Sequence, residues 1–153
     1  MRCLLTILVG FSSWPALALC STASLDDDYR QADVVVRAIV IAETVAADDE
    51  PSVGYVRRWG NFSPVSLHRL RVVEVFKGRP GPSINVFQEV NSARFPFDLD
   101  DDLLVYLSYH QPSPSRPTAA NGAMYVRYTC GQSQDWDSAT AAEIGRLRAL
   151  RAR

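Results

Sequence analysis

No segment of the sequence carries the spacing of a common catalytic or nucleotide-binding motif. There is no G-x-S-x-G, no H-E-x-x-H, no P-loop and no G-x-G-x-x-G. Histidine is scarce. His68 and His110 stand far apart, and neither is spaced to pair with a carboxylate. Three cysteines and two separated histidines give no metal-ligand spacing, so neither a metal nor a cofactor is expected. Positive charge is not in excess either. Lys and Arg number 16 against 17 Asp and Glu, for a formal net charge of −1. That balance is no polyanion-binding signature, so nucleic acid is not an expected partner. The apolar run at the start is too short to cross about 30 Å of hydrocarbon. Together these absences favour a binding module over an enzyme.

What is present begins with an export leader. Residues 1–18 read as a secretory signal peptide. Arg2 is its positive end, residues 3–11 its apolar stretch, and Ala16-Leu17-Ala18 its cleavage site. Removing Arg2 and no acid takes the formal charge from −1 to −2. Residues 19–153 are then one domain, exported to the periplasm or beyond, with no stable membrane anchor. A cut after Ala23 is the alternative and would discard Cys20. Lipid attachment at Cys20 is disfavoured because Leu19 is large where that chemistry wants a small residue. With the first cut, Cys3 leaves while Cys20 and Cys130 remain. An even number in an exported protein reads as one disulfide. It would close a loop of about 110 residues, with a chain-entropy ceiling of about 4–5 kcal/mol.

Along the mature chain, residues 24–32 read as a short helix, with Ser24 as N-cap and aspartates in its first turn. Residues 33–43 are the strongest strand, β-branched and apolar. One face carries Val34, Val36, Ala38, Val40 and Ala42; Arg37 and Glu43 interrupt the other. Residues 46–64 form a long connection holding Tyr55, Val56, Trp59 and Phe62. In the strand predicted over 65–77 the alternation slips at Val72-Val73, which predicts a β-bulge of the kind that bends strands around small barrels. Strands follow over 83–90, 103–109 and 123–130. A loop spans 91–99 and a proline-rich hairpin loop spans 111–120. His68 reads as a half-exposed strand residue. A last helix opens at Asp137-Ser138-Ala139-Thr140, capped by Asp137 or Ser138, with Ile144, Leu147 and Leu150 at helical spacing. The fold expected is mainly β: a five-stranded OB-fold Greek-key barrel with a short N-terminal and a C-terminal helix.

Several phrases also resemble a known family. Ala32-Asp33-Val34-Val35-Val36-Arg37-Ala38, Val72-Val73-Glu74-Val75-Phe76-Lys77-Gly78, Leu104-Val105-Tyr106-Leu107, and Tyr128-Thr129-Cys130-Gly131 followed by Trp136 look like the netrin-type domain of tissue inhibitors of metalloproteinases. The resemblance covers nearly all of residues 20–150 and suggests a bacterial exported version. In that family the mature N-terminal cysteine chelates the zinc of the target protease. A second cysteine, two positions on, bonds to one at the end of the fifth strand. Cys20 and Cys130 match that second bridge. The chelating cysteine would fall at Ala18, and its disulfide partner near Phe95, within 91–97; this chain has neither.

The resemblance therefore implies an exported, non-enzymatic module that binds a protein, with a metalloprotease as the implied partner class. Its candidate contact residues are Leu19 and Ser21 at the mature N-terminus, Tyr55, Trp59 and Phe62 in the first long loop, and Arg94, Phe95 and Phe97 in the second. Two alternatives stand beside it. One is a genuine metalloprotease inhibitor whose Leu19 amine and carbonyl ligate zinc. The other is a small-ligand carrier or enzyme using the barrel face, which would need a polar pocket pairing His68 or His110 with a carboxylate.

Overall fold

The computed structural model describes residues 24–46, 55–56, 65–89, 94–109, 118–119, 123–126 and 131–152. Its elements are α1 (Leu25–Gln31), β1 (Val34–Ala46), β2 (Tyr55–Val56), β3 (Val65–Lys77), β4 (Ser83–Glu89), β5 (Asp102–Ser108), β6 (Thr118–Ala119), β7 (Met124–Val126), β8 (Gln134–Asp135), a 3-10 turn (Trp136–Ser138) and α2 (Ala141–Arg151). The expected signal, Leu19, Cys20, Ser21, Trp59, Phe62, His110 and Cys130 lie outside the described residues.

Five strands close a barrel in the order β1-β3-β4-β7-β5, with β5 returning to β1. This is the OB-type architecture expected from the sequence. All its pairings are antiparallel except β4 with β7. The β-branched inward phase of β1 supplies Val34, Val36, Ala38 and Val40, which meet Leu70, Val86, Val105 and Leu107 in the barrel core. The interior is thus filled with apolar side chains and is not a channel.

The long strands β1 and β3, 13 residues each, pair through three irregularities. Arg37 faces Glu74 while Ala38 faces Val72, so Val73 is an extra residue, at the slip the sequence predicts. Phe76 is a second, between the partners of Val35 and Val36. It sits in a separate cluster outside the barrel with Val35, Leu104, Tyr106 and Leu147. The third lies on β1: Val40 faces Leu70 and Ala42 faces Arg69, leaving Ile41 unpaired between them.

Lys77 and Gly78 lock α1 against the end of β3. The Lys77 ammonium donates to the carbonyls of Tyr29, Arg30 and Ala32 at 2.7, 2.9 and 2.6 Å. It thereby satisfies carbonyls that the C-terminus of α1 leaves open. Gly78 turns the chain at φ +83°, where a side chain would press on the Asp33 carbonyl and on Val34. At the other end of α1, Ser24 caps the helix as expected, accepting from the Asp27 N–H at 3.2 Å.

Two expectations are corrected. The last helix is not capped by Asp137 or Ser138, which belong to the preceding 3-10 turn. Thr140 is the cap. It forms a capping box with Glu143, in which each side chain takes the other's backbone N–H. The proline-rich segment is also more than a hairpin loop. Its β6 pairs with β2 from the first long connection, Tyr55 opposite Ala119, making a separate two-stranded ribbon.

Helix α2 rests on Leu147, which is fully buried against Tyr106 and Phe76. Arg37 lies over the Trp136 ring at 4.4 Å and holds the Asp102 carboxylate with Nε at 2.9 Å. The Tyr106 hydroxyl is buried with no hydrogen-bond partner among the described residues, and burial pushes its phenol well above the ordinary range. An unpaired buried hydroxyl is destabilising. Tyr106→Phe is therefore expected to raise stability by about 1 kcal/mol in urea unfolding. A loss of that size instead would show that the hydroxyl is satisfied.

Candidate functional site at the barrel mouth

The inward phases of three strands change character at one end of the barrel. Going up β3 toward its start, the inward series runs Leu70, His68, Ser66. Along β4 it runs Ile84, Val86, Gln88. Cross-strand partners in a sheet share a face, and His68 faces Val86 while Ser66 faces Gln88. Aliphatic residues thus give way to a polar layer. On β1 the Ile41 bulge reverses the alternation, because one extra residue shifts a period of two by half. Glu43 therefore pairs with His68 and joins its face. The sequence phase had placed Glu43 with the opposite face and Ala42 with the core, and the bulge corrects both.

The polar layer is closely connected. The Gln88 carboxamide grips the backbone of Phe95 twice: its Oε1 accepts the Phe95 N–H at 3.2 Å, and its Nε2 donates to the Phe95 carbonyl at 3.0 Å. Those two bonds fix the orientation of the amide, which settles its oxygen and nitrogen from the network around it. The same Nε2 lies 3.2 Å from His68 Nε2, and Ser66 Oγ lies 2.8 Å from it. His68 Nε2 must then be an acceptor, and the neutral ring carries its proton on Nδ1. That Nδ1 is buried and has no partner among the described residues. The ring is 1% exposed, not half-exposed as the sequence suggested, and packs on Phe97 with centroids 4.6 Å apart.

Charge surrounds this layer. Glu43 Oε1 stands 3.8 Å from His68 Nε2. Glu43, His68, Gln88, Arg94, Pro96, Phe97 and Asp98 line an open hollow of about 380 Å³. Burial holds the His68 imidazole below its ordinary pKa; the Glu43 carboxylate works against that and Arg94 adds to it.

This geometry lacks a Ser-His-acid triad. The carboxylate approaches Nε2, the atom Ser66 already uses, whereas a triad needs it on Nδ1. Ser66 is also fully buried. Among the described residues no group of three or more metal-ligating side chains comes together. What the arrangement offers is a rigid polar floor with charged side chains at its rim, suited to contact with a polar surface.

Of the contact residues expected from the sequence, Arg94 is exposed and lines the hollow. Phe95 and Phe97 are not surface anchors. They are 6% and 4% exposed, pack with tilted rings at 4.9 Å between centroids and belong to the barrel core. Apolar rings on a short segment across an open barrel end gain more from filling it than from facing water. Tyr55 lies in β2, opposite Ala119. Sequence reasoning named His68 for a polar pocket with a carboxylate, but missed Glu43 as that carboxylate and Gln88 and Asp98 as members of the same site. The available signal was the run of polar residues in the inward phase at one end of β3 and β4. No model of a known protein family matches this chain, and no curated protein matches its sequence.

Proposed function

We propose that this chain is an exported, non-enzymatic protein-binding module, similar in kind to the tissue inhibitors of metalloproteinases, and that it binds through the open mouth of its barrel. One observation carries the reading. The barrel interior is packed with apolar side chains, while Glu43, Arg94 and Asp98 converge with the buried polar layer around one hollow. That hollow lies where β1 leads into the first long connection and β4 into the second, the two loops that the family resemblance implies as contact surfaces. A filled barrel argues against a small-ligand carrier using its interior; the His68–Glu43 pair in the hollow supports a ligand or enzyme site at the mouth as the second reading. The resemblance makes a zinc metalloprotease the partner class to test first.

The test places a photoreactive residue at position 94 or at Arg71, an exposed position on β3. Each protein is irradiated with a zinc metalloprotease catalytic domain, and separately with the exported fraction of the source cells. A discrete adduct from position 94 and none from position 71 is expected. Adducts from both positions, or from neither in both mixtures, would remove the mouth as a binding surface. An adduct confined to the exported fraction would leave the surface standing and reject the metalloprotease.

A further inference from the structure

We infer that the barrel mouth is built as an acid-operated latch, in which protonation of His68 releases the segment 94–98 from the Gln88 carboxamide. As a control on binding this rests on the reading of the mouth given above; as a property of the molecule it does not.

The latch follows from counting donors and acceptors. The Gln88 amide offers one oxygen and two N–H groups. Its oxygen takes the Phe95 N–H, one N–H goes to the Phe95 carbonyl, and the same nitrogen faces His68 Nε2 at 3.2 Å. A neutral His68 with its proton on Nδ1 accepts there, so all three contacts hold together. An imidazolium carries N–H on both nitrogens. Its Nε2–H then points at the amide N–H of Gln88, donor against donor. Turning the carboxamide over would present its oxygen to the imidazolium. It would also set that oxygen against the Phe95 carbonyl and its NH₂ against the Phe95 N–H. Either orientation of the amide loses contacts, and only one of them keeps the segment. The Ser66 hydroxyl, 2.8 Å away, rotates to accept without such a conflict.

Of the surrounding charges Arg94 pushes the same way, while Glu43 stays beside the ring in both forms and the Asp98 carboxylate offsets part of the effect of Arg94. From β1, Glu43 Oε1 at 3.8 Å offers the new Nε2–H a partner. From the segment itself, Arg94 opposes a positive ring, so departure of the segment relieves that repulsion. Asp98 is the other charged side chain lining the hollow, on the segment that leaves. Phe97, packed at a tilt against the His68 ring, is carried on the same segment. Burial lowers the affinity of the ring for a proton in the closed state. The sign is therefore fixed. Closed and released forms both carry a neutral ring above about pH 6.5, the ordinary histidine value. As pH falls below it, the released form takes up the proton first, and the closed form loses ground until its own lower pKa is passed.

Amide hydrogen exchange on the full mature chain tests this without any partner. The Phe95 amide reports the latch. The Asp33 amide, bonded to the Leu107 carbonyl at 2.8 Å at the far end of β1, reports the barrel. After correction for intrinsic exchange, Phe95 protection is expected to fall about tenfold between about pH 7.5 and about pH 5, with Asp33 unchanged. The fall should begin at about pH 6.5 and level off as the His68 ring, followed by NMR, itself titrates. In His68→Gln, which keeps an acceptor and cannot titrate, Phe95 protection should stay flat. Constant Phe95 protection in the wild type, an equal fall at Asp33, or the same fall in His68→Gln would each overturn the latch. If that variant does not fold, the wild-type comparison of Phe95, Asp33 and the ring titration decides alone.

Discussion

Gly78→Ala is expected to lower the stability of the barrel by about 2–5 kcal/mol. Two costs combine. The backbone at φ +83° lies in the left-handed region, which disfavours a Cβ by about 1–2 kcal/mol. The added carbon would also stand 2.7 Å from the Asp33 carbonyl oxygen and 2.8 Å from Val34 Cγ2. Neither neighbour yields easily, since Asp33 N–H is tied to Leu107 and Val34 is a buried barrel residue. Overpacking of that kind costs a further ~1–3 kcal/mol. Gly81→Ala is the control: its nearest contact would be the Ser83 carbonyl at 3.8 Å, and its effect should stay within about 0.5 kcal/mol. Urea denaturation of the two variants reads the difference directly. Equal midpoints for the two would show that the backbone at Gly78 relaxes freely.

The second large effect concerns Phe97. Truncation to alanine is expected to cost about 3–5 kcal/mol, the range for emptying a buried aromatic site. The ring is 4% exposed and packs between His68 and Phe95. Its loss would leave a cavity beside the polar layer and weaken the seat of the 94–98 segment. Arg94→Ala, three residues earlier and exposed, should change stability by no more than about 0.5 kcal/mol. The pair separates two roles within one segment. If Phe97→Ala left the unfolding midpoint unchanged, the residue would be the surface anchor that its place in the sequence first suggested.

The barrel was legible because its signals are local and repeat. β-branched alternation placed β1, and the Val72-Val73 slip marked a bulge that the register bears out at Val73. The Phe76-Lys77-Gly78 phrase stands out as a likeness, and each of its members serves the scaffold. Phe76 is a buried ring, Lys77 caps three carbonyls and Gly78 makes a left-handed turn. The same holds for Asp33, which accepts the Tyr109 N–H at 2.8 Å, and for Trp136, which underlies Arg37. These phrases therefore speak to the barrel and are silent about a partner. The mouth was hidden because its members meet only through register. His68, Gln88 and Glu43 lie on three strands, and the face of Glu43 depends on one unpaired residue that alternation cannot reveal. The capping box of α2 was readable as Thr140 followed by Glu143, but two nearer cap formers stood before it. Those two are used by the 3-10 turn.

The bulge at Ile41 has a consequence for how such a molecule can diversify. Below it, β1 is bonded on both sides, to β3 and β5; above it, among the described residues, to β3 alone. The unpaired residue works like a half-step in a gear train, uncoupling the phase of the rim from the phase of the body. Pairing Ile41 with Arg69, so that the bulge is lost with no residue removed, would turn Glu43 outward and bring Ala42 and Thr44 to the rim, with Val34, Val36, Ala38 and Val40 left in place. A change between bulged and regular pairing at this point would exchange the chemistry of the opening while the sealed part of the barrel keeps its packing. The opening is thus free to vary in a way that the body is not.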